Sequence, residues 1–398
     1  MAFLDRRTHP SIVTLVLVSG LGALSLNIFL PSLPGMARFF GVPYGQMQLA
    51  VSGYLAVSAG LQLVIGPISD RYGRRRVLLT VFSIFLLATV ATLLATSFET
   101  FIAARMVQAV VATAFVLSRA TVRDMVPGPE AASVIGYVTM GMSLVPMIGP
   151  VIGGFLDEAF GWRANFALLL AFGVAITALV WADMGETTAK GGVPFKDQLR
   201  AYPILLRSQR FWGYCLATAF ASGLFFAYLG GAPFVGDQVF HLTSAQVGYF
   251  FALPAVGYAI GNYLSGRFAM RTGMDHMVLY GTLLATAALI VALGAEMMGF
   301  SSPFIFFSMV GVTGMGNGIA LPSSNAGMMS VRPELAGTAS GLGATLSIGG
   351  GAALAALSGA MLGPGSGAIP LVLIMLASSA ASVGAILWVF HRRKRLGI

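Results

Sequence analysis

The feature that most constrains this chain is the length of its apolar runs. Stretches such as Ser11 to Leu30 and Arg76 to Thr96 hold no charged residue between their ends. A helix needs about 20 such residues to cross a bilayer, whereas a barrel strand needs roughly 10 that alternate. In lipid every backbone polar group must be bonded internally, so runs of this kind fold as membrane-spanning helices. Only 9% of the residues are charged, against roughly 25% in an average soluble domain. That is too little to solvate a water-facing surface. The Asp5-Arg6-Arg7 start resembles a signal peptide, but the apolar run continues past Asn27 to Pro31 and Pro34 without a small-residue cleavage site, so it counts as a span.

Apolar windows bounded by charge, Pro or Gly clusters place spans near 11–35, 46–68, 77–97, 99–122, 132–155, 164–183, 211–234, 245–266, 276–297, 303–328, 335–361 and 367–390. An even number of spans leaves both termini on one side. Under this alternation all but three of the 23 Lys and Arg residues fall on the terminal side, the exceptions being Arg38, Arg163 and the intraspan Arg105. Positive loops stay in the cytoplasm, so both termini are expected there, with the chain in the cytoplasmic (inner) membrane. The same placement accounts for the net charge of +9 without a nucleic-acid partner. A single cysteine, Cys215, leaves no disulfide framework and no cysteine-rich metal site.

The longest polar stretch, 185–210, divides the chain into six-span halves at 1–184 and 211–398. Two echoes suggest duplication. Ile68-Ser69-Asp70-Arg71-Tyr72 aligns with Leu264-Ser265-Gly266-Arg267-Phe268, and Pro129-Glu130 with Pro333-Glu334. The expected fold is therefore all-α, with twelve transmembrane helices in two pseudo-symmetric bundles.

Between spans 2 and 3 lies Gly66-Pro67-Ile68-Ser69-Asp70-Arg71-Tyr72-Gly73-Arg74-Arg75-Arg76. A loop that only fixed topology needs the arginines but not Gly66, Asp70 and Gly73 at this spacing. A carboxylate at a helix end, paired with arginines in one conformation and released in another, makes a switch. Arg119 and Arg123, at the inner end of span 4, are its expected partners. This loop resembles the signature of the major facilitator superfamily, and Arg105-Met106-Val107-Gln108 resembles its span 4 pattern, with Ala109 where Gly is usual. Pro146-Met147-Ile148-Gly149-Pro150-Val151-Ile152-Gly153-Gly154 is similar to the superfamily's antiporter motif, which implies export. Phe29-Leu30-Pro31, Arg119 through Asp124 and Ala336-Gly337-Thr338-Ala339-Ser340 are similar to the bicyclomycin/chloramphenicol-resistance family of drug:proton antiporters. Independently of that likeness, the span 5 glycines form a face for close helix approach and the prolines each remove a backbone donor.

Arg105 is the strongest single signal, because an arginine within a span faces a cavity or a partner. Asn27 departs from the resembled family, which has an aspartate there. An amide carries no proton, and all 14 acidic residues lie in loops or near span ends. If coupling persists, Asp124 or Asp237 must supply it. Asn27 and Arg105 are expected to face one another, leaving the guanidinium charge available to a neutral or anionic, partly hydrophobic substrate. Tyr54, Gln62, Phe226, Tyr228, Tyr258, Asn262, Asn317 and Asn325 complete the candidate binding surface.

The sequence thus points to a secondary transporter that exports small molecules, driven at most by a proton gradient, with no cofactor and with a monomer as the working unit. Uptake or facilitated passage of a specific neutral or anionic metabolite is the alternative. His9, His241, His276 and His391 fall in loops or tails and no catalytic cluster sits inside a span, so enzymatic activity is not expected.

Overall fold

A computed structural model describes Leu4 and residues 8–126, 134–135, 138, 145–188, 202–332 and 335–396. Asp5, Arg6, Arg7, the Pro129-Glu130 and Pro333-Glu334 echo, the start of span 5 and the linker stretch with Lys190, Lys196, Asp197 and Arg200 lie outside the described residues.

The described chain forms twelve helical rods. They are α1 Ile12–Phe40, α2 Tyr44–Tyr72, α3 Arg74–Leu94, α4 Phe98–Met125, α5 Val145–Phe160, α6 Arg163–Asp183, α7 Gln209–Val239, α8 Ser244–Thr272, α9 Met274–Met297, α10 Pro303–Ser330, α11 Gly337–Met361 and α12 Ile369–Arg395. Ten are long and apolar enough to cross a membrane. The described part of α5 is 16 residues long, and α8 is diluted by Tyr249, Tyr258, Asn262 and Tyr263. The rods outrun the apolar windows at several ends because helix hydrogen bonding continues beyond the apolar stretch.

Local chemistry sets the starts. Ser11 accepts from the Thr14 amide at 3.1 Å, opening α1. Thr243 and Gln246 form a reciprocal cap that opens α8. Gly73 and Gly273 stand at φ of +97° and +86°, where a side chain would be strained, and let α2 turn into α3 and α8 into α9. These two glycines occupy equivalent places in the two halves, a sign of duplication that the linear echoes did not contain.

Helices α1–α6 and α7–α12 form two six-helix bundles. Inside the second bundle α8 and α9 pack on α10, and α7 packs on α11 and α12; in the first, α3 packs on α4 and α6. The bundles meet along two seams, α5 against α8 and α2 against α11. A shift of six helices maps one seam onto the other, as a two-fold repeat requires.

Candidate functional site

The seams are closed at the end opposite the chain termini, called here the far end. A Cβ at Gly154 would fall on the Ser244 carbonyl oxygen, one at Gly248 on that of Pro150, and one at Gly45 within 2.8 Å of that of Gly359. Glycine allows these backbones to touch. The Tyr44 hydroxyl donates to the Gly230 carbonyl at 2.6 Å, and the Glu158 carboxylate accepts from the Ala245 amide at 3.4 Å. Arg38 pairs with Asp237 at 2.7 Å across the bundles, beside a π-helical turn that ends α7. Toward the terminal end, side chains built at Gly60, Gly66, Gly266 and Gly341 on α2, α8 and α11 would meet nothing within 4 Å. There Arg123 approaches Gly337, its Nη1 3.7 Å from an ideal Cβ.

Within the first bundle the structure encloses Arg105 completely. Its Nε donates to the Ala50 carbonyl at 3.2 Å, Nη1 to Ser25 Oγ at 3.2 Å and to Gln108 Oε1 at 2.9 Å, and Nη2 to the Ser25 carbonyl at 2.7 Å. Phe29 and Tyr54 lie 4.4 and 4.1 Å from its Cζ, one ring face each. Gln108 passes the chain of bonds to Thr89 at 2.8 Å. Among the described residues no carboxylate pairs with this guanidinium. Neutral dipoles and aromatic faces carry the charge instead. Immediately after Gln108, α4 tightens to a 3-10 stretch over Ala109–Thr113.

The expected pairing of Asn27 with Arg105 is corrected by this geometry. Ser25 takes the fork, and Asn27, two residues on, points about 200° away around the helix. The Asn27 amide donates to the Ala23 carbonyl at 2.7 Å, while its Oδ1 is buried without a partner. Its Cβ lies 3.7 Å from an ideal Cβ on Gly149. Arg105, with no exposed surface, does not touch open space as the sequence reading supposed.

The loop between α2 and α3 also departs from the expected pairing. Asp70 bonds Arg74, four residues on, rather than Arg119 or Arg123. Arg74 in turn donates from Nε to Asp124 at 3.0 Å and reaches Ser69 and the Gly66 carbonyl. The loop supplies the arginine and α4 the acid, the reverse of the expected signs. Arg119 stacks on Phe115 at 3.9 Å and Arg71 over Tyr72 at 5.4 Å. In α5, Gly149 and Gly153 lie against α1, while Pro150 and Gly154 lie against α8; Pro146 stands in the first described turn.

The remaining candidates scatter. Tyr228 is buried, its ring 4.8 Å from Phe251 and its hydroxyl unpartnered. Phe226 covers Gly351, Asn262 donates to the Tyr258 carbonyl at 3.0 Å, and Asn317 donates to the Ala221 carbonyl at 2.9 Å, inside the second bundle. Gln62 and Tyr258 are half-buried and Asn325 is exposed.

Sequence reasoning missed Glu186. Its carboxylate accepts from the Arg74 amide at 2.7 Å and would collide with any side chain at Gly73, so the segment after α6 caps α3 and holds the loop hinge. Gly73 in the loop was the available signal. Also missed was Asp275, which bonds the Tyr214 hydroxyl at 2.5 Å and pairs with Arg393.

The Major Facilitator Superfamily model matches residues 15–356. A chloramphenicol resistance protein of Pseudomonas aeruginosa is 30% identical over 322 residues, 80% of this chain and 76% of that one. Multidrug resistance protein D of Escherichia coli (strain K12) is 28% identical over 378 residues, 93% and 94% of the two chains. In fold, a bacterial homolog to the human lysosomal transporter Spinster matches with a TM-score of 0.73 and 18% identity, covering 96% of each chain. With two seamed six-helix bundles, the basic loop between α2 and α3, and a family match over most of its length, this multi-pass membrane protein belongs to the Major Facilitator Superfamily.

Proposed function

We propose that this protein exports small, partly hydrophobic compounds, neutral or anionic, across the inner membrane by alternating access. One observation carries the reading: the bundles touch backbone to backbone at the far end, while at the terminal end their charged groups bond within their own bundle. Such an arrangement leaves the bundles tied at the far end and free to part at the terminal side, which the arginine distribution assigns to the cytoplasm. Export is supported by the resistance and multidrug names of the relatives and by the antiporter-like face of α5. Arg105 acts through its field rather than by contact. A buried cation with no carboxylate partner among the described residues disfavours cationic substrates in the low-dielectric interior.

Proton antiport needs an acid that is released in one conformation. Asn27 cannot serve, whereas Asp237 sits in a cross-bundle ion pair that rocking would break and Asp124 is held by Arg74 within the first bundle. The amide at position 27 equally favours a second reading, uncoupled passage of one neutral or anionic metabolite. Labelled chloramphenicol in inverted vesicles, with and without an imposed proton gradient, tests the choice. Gradient-driven accumulation supports antiport, equilibration without a gradient supports the second reading, and absence of flux across a panel of neutral and anionic compounds contradicts both.

A further inference from the structure

At the terminal end of the second bundle, the start of α7 and the ends of α10 and α12 surround a cavity of about 370 Å³. Arg207, Arg210, Arg332 and Arg392 line it, together with Ser208, and among the described residues no acidic one does. Ser208 caps α7, so the positive end of that helix also points here. Among the described residues no carboxylate pairs with Arg207, Arg210 or Arg392, because the nearby Asp275 is taken by Arg393 and Tyr214. The Arg210 Nε is buried and bonded to nothing.

The equivalent end of the first bundle is different. There Asp70, Asp124 and Glu186 are interleaved with the basic loop and engage it. A purely topological charge excess explains arginines in loops, but not the convergence of four of them, from three separated segments, on one cavity with no acid among its described lining residues. Such a site is built for an anion with several acceptor oxygens, which arginine forks match.

The rim states where the anion comes from. Ile204 is 50% exposed and Leu206 40%, on the short helical turn at 202–206 that leads into the pocket. Trp212 bonds that turn through the Leu206 carbonyl at 2.7 Å. Trp388, 39% exposed, lies one turn before Arg392 on α12. Exposed aliphatic side chains and tryptophans at a helix end mark the headgroup level of a bilayer, and basic pockets between transmembrane helices at that level hold anionic headgroups. We propose that this cavity is a binding site for the phosphate headgroup of an anionic phospholipid, with its acyl chains along Trp388 and the outer face of α12.

The test uses the full-length protein in nanodiscs of phosphatidylcholine with a minor fraction of phosphatidylglycerol, the lipid retained after detergent extraction being counted by native mass spectrometry. Wild type retains phosphatidylglycerol, and Arg210→Gln with Arg392→Gln lowers its retention about tenfold. Arg267→Gln with Arg271→Gln, which removes the same charge from the same end of the same bundle, leaves retention unchanged. Arg210→Lys with Arg392→Lys preserves the charge and the fold, and retains an intermediate amount because the fork is lost. Equal loss in the pocket and control variants, or no loss in the pocket variant, overturns the site. Displacement of the bound lipid by millimolar inorganic phosphate overturns the lipid as its source and assigns the pocket to a soluble anion.

Discussion

The two ends of the molecule are held by different chemistry. At the far end the bundles meet through glycine-to-backbone contacts at Gly45, Gly154 and Gly248, with one exposed ion pair, Arg38 to Asp237, laid across them. At the terminal end the charges of the first bundle are satisfied inside that bundle, through Asp70, Arg74, Asp124 and Glu186. Close backbone contact seals by fit and opens without stranding a charge. An ionic cluster holds through directed pairs. The contrast suits a carrier whose far gate is a fitted surface and whose near gate is an exchange of ion pairs.

The largest effect is expected from filling the far seam. Gly154→Leu puts a side chain where the Ser244 carbonyl stands, and overpacking costs about 1–3 kcal/mol or more when backbone must move. Vesicle transport should fall to background with the protein still inserted. Gly60→Ala, with nothing within 4 Å of its Cβ, should stay within about twofold of wild type. Equal losses in the two variants would remove the distinction between seam and open face.

Next comes the ionic cluster. Asp70→Asn removes a charge-assisted bond worth about 1.5–3 kcal/mol, which shifts a two-state balance roughly tenfold or more. Turnover should drop by that order while membrane yield is unchanged. Wild-type turnover would show that the Asp70–Arg74 pair is static. Glu186→Gln keeps the cap on the Arg74 amide but loses its charge, and should slow turnover about threefold, in line with about 0.5–1 kcal/mol for a charge at a helix N-terminus. Glu186→Ala should cost more than Glu186→Gln; the opposite order would mean the cap is irrelevant.

What the sequence discloses here follows from what is local. Run length and charge placement disclose twelve spans, because each span satisfies its own backbone, and the glycine face of α5 is visible because close approach demands small residues in a row. The loop motif is legible for the same reason. The partners are not. Ser25 rather than Asn27 meets Arg105 because of a half-turn of helix phase, and Glu186 reaches Arg74 from more than a hundred residues away. Convergence across helices is not written in any one of them. The scattered amides show the same limit, since Asn317 ties α10 to α7 inside the second bundle.

The smallest effect belongs to the one cross-bundle ion pair among the described residues, Arg38 with Asp237. Arg38 is 62% exposed, and such pairs contribute about 0.2–1 kcal/mol. Arg38→Gln should change transport less than about threefold, with the residual difference fading at high salt. A loss as large as that of Gly154→Leu would mean that charge, not backbone fit, seals the far end.

Spin labels report the central claim most directly. One pair is placed at the far end on Phe160 and Phe300, and another at the terminal end on Tyr72 and Met270. All four positions are exposed, and the native Cys215 is buried. Double electron–electron resonance on reconstituted protein, with and without transported compound and proton gradient, then reads both gates. The account predicts anticorrelated populations: whenever the Phe160–Phe300 distance lengthens, the Tyr72–Met270 distance shortens. Two distances that stay fixed under every condition of measurable transport, or that lengthen together, would contradict it.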